Sequence, residues 1–186
     1  MRQVAPTTVG PDFAAVLAAA KTGDGDAIAA LYRTFNPALL RYYRAHAARV
    51  AEDLTQEVWL GAAPRLSSFE GDEQQFRTWL FTVARRRLVD HWRATGRRVN
   101  EVQEDAEPVA IDGDPSARLV GDAAIAELTE GLTDEQREVI ALRVVGGLSV
   151  DEVAAIVDKS PGAVRVIQHR AIRRVASRLN ESAVTK

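Results

Sequence analysis

The chain has 186 residues, 46% of them hydrophobic and only 6% aromatic, with a formal net charge of −2 and no cysteine. That length and apolar share suit two small compact domains better than one, and plentiful Ala, Leu, Val, Glu and Arg favour helix over sheet, so an all-α fold is expected. The missing cysteine excludes disulfides, thiolate metal sites and cysteine nucleophiles, and the near-neutral sum argues against indiscriminate nucleic-acid binding.

The first 21 residues hold Arg2, Asp12 and Lys21 around an Ala-rich stretch. This is neither a signal peptide nor a membrane span, so a cytoplasmic protein without membrane insertion is expected. Ile28, Leu31, Tyr32 and Phe35 then recur at helical spacing, and Leu39, Leu40 and Tyr43 resume the pattern after Asn36-Pro37. The interruption predicts two helices or one broken helix. Leu54, Val58 and Ala62 form the next apolar stripe, leaving Asp53, Gln56 and Glu57 on a polar face. Phe76, Leu80, Val83 and Ala84, flanked by Trp79 and Leu88, form a longer one, and helices facing one another in this way make a bundle.

That longer helix lies in a basic run, Arg77, Arg85, Arg86, Arg87, Arg93, Arg97 and Arg98 against the single acid Asp90. Phe76, Trp79, Phe81 and Trp92 are interleaved with the arginines. Aromatic rings among arginines suit unstacked bases, although core packing competes for each ring. Residues 99–117 carry six acids and no base, with Pro108, Gly113 and Pro115 and no helical periodicity. They read as a flexible acidic linker between a domain at 11–98 and a second at 118–181.

The second domain is punctuated by helix starts. Thr133 with Gln136 and Ser149 with Glu152 match the capping box, and Ser160-Pro161 places Ser at an N-cap and Pro at the first helical position. The helices are expected at about 134–145, 150–157 and 161–179, the first stopped by Gly146-Gly147. A short helix, a four-residue turn and a longer helix have helix-turn-helix spacing. On the last helix Val164, Ile167, Ala171, Val175 and Leu179 fall on one side at about 100° per residue, and Val166, His169, Arg170 and Arg173 on the other, with Arg165 at the flank. No acid occurs from Ser160 to Asn180. Lys159, Ser160, Arg165, Val166, His169, Arg170, Arg173 and Arg174 are therefore the candidates to meet a DNA groove, arginine matching guanine acceptors or phosphate and valine a thymine methyl. His46, His91 and His169 stand apart from one another and from any carboxylate at ligand spacing, so no metal, cofactor or catalytic site is expected.

The order of motifs resembles a known family. Ala51-Glu52-Asp53-Leu54-Thr55-Gln56-Glu57-Val58-Trp59-Leu60, Phe69-Glu70-Gly71, Phe76-Arg77-Thr78-Trp79-Leu80 and Val83-Ala84-Arg85-Arg86-Arg87-Leu88-Val89-Asp90-His91 resemble region two of the extracytoplasmic-function (ECF) sigma factors of bacterial RNA polymerase. Leu132 to Val139, Gly147 to Ala154 and Gly162-Ala163-Val164-Arg165 resemble region four. The resemblance implies a non-enzymatic initiation factor whose partners are promoter DNA, core RNA polymerase and an anti-sigma factor. It implies that Asp53, Gln56, Glu57 and Trp59 meet the clamp helices of the largest polymerase subunit, and that region four contacts the flap of the second-largest. It places Phe69, Arg77, Trp79, Arg85, Arg86 and Arg87 at the minus-ten element and the last helix at the minus-thirty-five element, with the acidic linker threading toward the RNA path.

Two positions depart from the family pattern: Arg86 stands where asparagine is frequent, and Asp158 where glycine often precedes the helix-turn-helix turn. Asp adopts the left-handed conformation at modest cost, so the fold should survive the second departure. A stand-alone helix-turn-helix repressor and a protein-binding helical scaffold are the competing readings. The Asp53 to Leu60 motif and the tryptophan-arginine helix separate the sigma reading from the repressor.

Overall fold

The structure, a computed structural model, describes residue 9, residues 12–96 and residues 129–184, the last six by backbone alone. The expected acidic linker at 99–117, residue 11 and residues 97–98 of the first expected domain, residues 118–128 of the second and the side chain of Leu179 lie outside the described residues or atoms. Every described element is helical, as the composition suggested.

The N-terminal unit is built from α1 (Phe13–Lys21), α2 (Gly25–Ala47), a 3-10 turn at Ala48–Val50, α3 (Ala51–Leu66) and α4 (Glu73–Ala94). Asn36-Pro37 does not divide α2, which runs unbroken for 23 residues. Pro37 and Arg33, whose carbonyl loses its partner when residue 37 lacks an N–H, are both exposed, so water can meet that carbonyl. The turns on either side are held by the buried Leu31, Phe35, Ala38, Leu39, Tyr42 and Tyr43. Phe35, Phe76 and Phe81 are each 1% exposed, and Phe35 and Phe76 meet edge to face at 5.1 Å. Burying side chains of this size contributes about 1.5–3 kcal/mol apiece.

The C-terminal unit begins with α5 (Asp134–Ile140), which widens into a π turn at Ala141–Val145, followed by α6 (Val150–Val157) and α7 (Pro161–Val184). The helix starts fall where they are expected because the local chemistry fixes them, while the last helix runs on to Val184, past its expected end at 179. Both capping boxes form, Thr133 with Gln136 and Ser149 with Glu152, and Ser160 Oγ accepts from the Ala163 amide at 3.1 Å. At Gly146 a Cβ would stand 2.5 Å from the Leu142 carbonyl oxygen, so only glycine closes that turn. Asp158 ends α6 in the left-handed region at φ 56°, the conformation expected of it.

The two units are packed together. One apolar cluster runs from Phe35, Tyr42 and Phe81 in the N-terminal unit to Leu142, Leu148 and Val153 in the C-terminal one. A smaller cluster of Leu132, Ile140, Ala171 and Val175 anchors α7 on α5.

Candidate nucleic-acid interface

The second helix of the helix-turn-helix shows a clean division of faces. Val164, Ile167, Ala171 and Val175 are buried, while Arg165, Val166, His169, Arg170, Arg173 and Arg174 are exposed. The apolar stripe fixes the rotation of α7, and the basic face points outward as a consequence. Val166 is 49% exposed, a β-branched residue in a row of cations. Lys159 and Ser160 sit at the turn: the Lys159 ammonium lies 2.6 Å from Glu135, and the Ser160 hydroxyl serves the cap. Arg143 ties the π turn to α7 through Gln168 at 3.2 Å and also donates to the Leu148 carbonyl, which fixes how α7 is presented.

A second basic surface lies on α4 and the loop before it. Asp72 starts α4 with a capping box closed by Gln75, and Gly71 at φ 151° lets the loop turn beneath Gln75 and Phe69. Phe69 and Trp79 are half-buried, their ring centroids 5.3 Å apart and both within 5.4 Å of Phe76. Arg86 and Arg87 are exposed, Arg87 lying 3.9 Å from Glu57, and Arg85 is half-buried.

Arg77, expected among the DNA-contacting arginines, is not on this surface. Its side chain is 2% exposed, its guanidinium lies 4.9 Å from the centre of the Phe35 ring and 3.3 Å from Glu73 Oε1, and burial pulls its pKa down. The physical reason is its place beside Phe76 on the apolar side of α4, which packs against more than one neighbour. Phe76, Phe81 and Trp92 are core residues too, as the competing reading of the rings allowed.

The third expected surface is on α3. Asp53, Gln56 and Glu57 are exposed and Leu54 and Val58 buried, the arrangement their spacing predicts. Trp59 is half-buried, donating to Asn36 Oδ1 at 3.1 Å and lying against Tyr32, with Leu60 74% exposed beside it.

Comparison with known proteins bears on these surfaces. Residues 31–98 match Sigma-70 region 2 and residues 122–175 match Sigma-70 region 4. The ECF RNA polymerase sigma factor SigD of Mycobacterium tuberculosis is 35% identical over 179 residues, covering 91% of this chain and 84% of the relative. The chain belongs to the ECF sigma factor family of RNA polymerase. The ECF sigma factor BldN of Streptomyces coelicolor is 32% identical over 88% of this chain, which spans 64% of BldN's length. Among solved structures, the sigma factor RpoE of Bartonella quintana, in complex with the anti-sigma factor NepR, superposes with a TM-score of 0.59 at 26% identity, covering 80% of this chain and 94% of that one.

In this sigma factor the sequence-derived surfaces are not brought into one site, since α7 presents its basic face away from its buried stripe while α4 packs against the C-terminal unit. What sequence reasoning missed is that second contact. The Glu138 carboxylate accepts from Arg85 Nε at 2.8 Å and from the Tyr42 hydroxyl at 3.5 Å, and Glu152 accepts from Thr78 Oγ1 at 2.6 Å and from Gln74 Nε2 at 3.0 Å. A signal existed: Glu138 falls in line with Ala141, Leu142 and Val145, an acid in an apolar stripe. Burial raises the Glu138 pKa against the opposing pull of Arg85, and burial likewise raises that of Tyr42. Glu152 behaves in the opposite way, for its burial is outweighed by the Thr78, Ser149 and Gln74 hydrogen bonds and its pKa is lowered. No helix among the described residues is long and apolar enough to cross a membrane.

Proposed function

We propose that this sigma factor directs core RNA polymerase to promoters by reading a minus-thirty-five element with α7 and a minus-ten element with α4 and the Ser67 to Asp72 loop. The observation that carries the reading is the outward basic face of α7 set opposite its buried stripe. Arg165, Val166, His169 and Arg170, on the first turns, read base edges, while Arg173 and Arg174 hold phosphate, since a recognition helix enters the major groove by its N-terminal end. Lys159 and Ser160 approach the backbone at the turn. On α4, Arg85, Arg86 and Arg87 bind the strand while Phe69 and Trp79 offer half-exposed faces for unstacked bases. Arg77 supports that surface from beneath.

Asp53, Gln56, Glu57 and Trp59 on α3 dock on the clamp helices of the largest subunit, and the C-terminal unit meets the flap of the second-largest. An anti-sigma factor is the expected inhibitory partner, a reading supported by the complex in which RpoE was solved. The protein works in the cytoplasm, where its polymerase is.

Run-off transcription with purified core polymerase tests this reading: the chain should confer initiation on a subset of promoters that core alone ignores. Tight, sequence-specific duplex binding by the chain alone at physiological salt, without any effect on core, would replace it with the repressor reading.

A further inference from the structure

The loop before α4 enters the helix without a hydrophobic staple, because Gly71 precedes the Asp72 cap and has no side chain to set against Phe76. The first turn of α4 is held by other contacts. Phe69 of the loop lies edge to face on Phe76 at 5.2 Å, and Phe13 of α1 meets the same ring at 5.7 Å. Ahead of α1, the half-buried Val9 packs against the core, and its amide donates to Glu73 Oε2 at 3.1 Å across 64 residues of sequence. Glu73 is the first residue of α4 and its side chain is 18% exposed; its other oxygen accepts from Arg77 Nη2 at 3.3 Å. Both carboxylate oxygens are therefore engaged, and a hydrogen bond to an ionised acceptor is stronger than a neutral one. Trp79 lies 5.4 Å from Phe76 and 5.3 Å from Phe69. The ring pair offered to unstacked bases is thus seated on the turn that Val9 and Phe13 brace.

We propose that Glu73, latched to the Val9 amide, is a positioning residue for minus-ten reading: it fixes the first turn of α4, and with it the faces of Phe69 and Trp79, before a base arrives. The inference rests on the promoter reading above and gives the segment ahead of α1 a part in base choice. Neither Val9 nor Glu73 needs to touch DNA. Rings already held in place lose little freedom when a base stacks on them, whereas loose rings must be ordered at that moment, at a cost to binding.

The test uses holoenzyme formed with the full chain and a single-stranded minus-ten oligonucleotide carrying 2-aminopurine at each position in turn, a base whose fluorescence is quenched on stacking. Val9→Pro removes the amide hydrogen and keeps an apolar side chain, while Glu73→Gln leaves one neutral carbonyl oxygen for two donors. Each should lower the preference for the best minus-ten strand over single-base variants about three- to tenfold at the positions where quenching reports stacking, and should weaken that quenching. Preference across minus-thirty-five variants, measured on duplex promoters, should not move. Val9→Ala retains the amide hydrogen and should keep the minus-ten preference. Where Val9→Pro does not fold by circular dichroism, Glu73→Gln carries the test, since it preserves the side-chain size. An unchanged minus-ten preference in a folded variant, a loss shared equally by the minus-thirty-five element, or a loss in Val9→Ala equal to that in Val9→Pro overturns the proposal. The unmodified holoenzyme tells the two readings apart: if it shows no minus-ten preference, the promoter reading falls and the latch with it, whereas a preference that the variants keep removes the latch alone.

Discussion

The helices α4 and α7 are both rich in arginine and look alike as strings, but the fold uses them differently. On α7 a single apolar stripe leaves Arg165, Arg170, Arg173 and Arg174 all exposed. On α4, helices pack on more than one side, and the arginines are sorted: Arg77 goes into the core, Arg85 into the contact with Glu138, and Arg86, Arg87 and Arg93 stay at the surface. A run of cations therefore reads as a binding face only where the apolar periodicity fixes which side points out.

The largest effect that would sharpen this contrast is on stability. Arg77→Ala removes a buried guanidinium from between Phe35 and Glu73, and should cost about 3 kcal/mol, lowering the melting temperature by roughly 6–12 °C in a chain of this size. Arg86→Ala, at the surface a few turns later, should stay within about 0.5 kcal/mol. Thermal melts followed by circular dichroism decide it. Equal, small changes for both would return Arg77 to the surface.

Next come the exposed arginines of α7. Arg165→Ala or Arg170→Ala should cost about 1–3 kcal/mol on the preferred minus-thirty-five sequence and relax discrimination at one base pair. Arg173→Ala should weaken every sequence alike and reduce the salt slope by about one. Holoenzyme binding across single-base promoter variants at several salt concentrations separates the two outcomes. If Arg165 and Arg170 behaved like Arg173, their role would be electrostatic only.

Much of this was legible in the sequence because it is written in local rules. Thr133, Ser149 and Ser160 fix helix starts by capping, Gly146 fixes a stop, and the stripe from Val164 to Val175 fixes the rotation of α7. Three things were not legible, each for a non-local reason. Pro37 is tolerated inside α2 because the core residues around it outweigh one lost hydrogen bond. Arg77 is buried because Phe35, 42 residues away, supplies a ring for it. Glu138 finds Arg85 only once α5 is laid on α4, a pairing that no spacing within either segment announces.

A smaller effect is expected on α3, where exposure and stability part company. Gln56→Ala and Glu57→Ala should each weaken core polymerase binding by about 1 kcal/mol while leaving the melting temperature unchanged, since both side chains are exposed and Leu54 and Val58 carry the packing. Fluorescence anisotropy against purified core, paired with melts, checks this. A loss of fold without a specific loss of binding would remove α3 from the polymerase interface.

The smallest effect concerns how acid acts on the contact between the units, because its two carboxylates oppose each other. Glu138 is faced by Arg85 from α4, Tyr42 from α2 and Asp134 from its own helix, and burial raises its pKa above the ordinary 4.5. Closing therefore takes up a proton at Glu138, so its share favours closure below the ordinary value and is lost as pH rises through the raised one. Glu152 is faced by Thr78, Gln74 and the Arg77 charge from α4 and by Ser149 from its own cap, and its pKa is lowered. Its share favours closure above the ordinary value and is lost as pH falls through the lowered one. The closed fraction should thus rise gently as pH drops from neutral, pass through a maximum near the ordinary glutamate value, and fall beyond it. Energy transfer between dyes at Ala48→Cys and Ala155→Cys, over the pH range in which circular dichroism shows the chain folded, follows the curve. Glu138→Gln should abolish the rise on the neutral side, and Gln74→Ala with Thr78→Val should flatten the fall on the acid side. A closed fraction that declines steadily from neutral pH downward would mean that Glu138 is ionised at no cost in the contact.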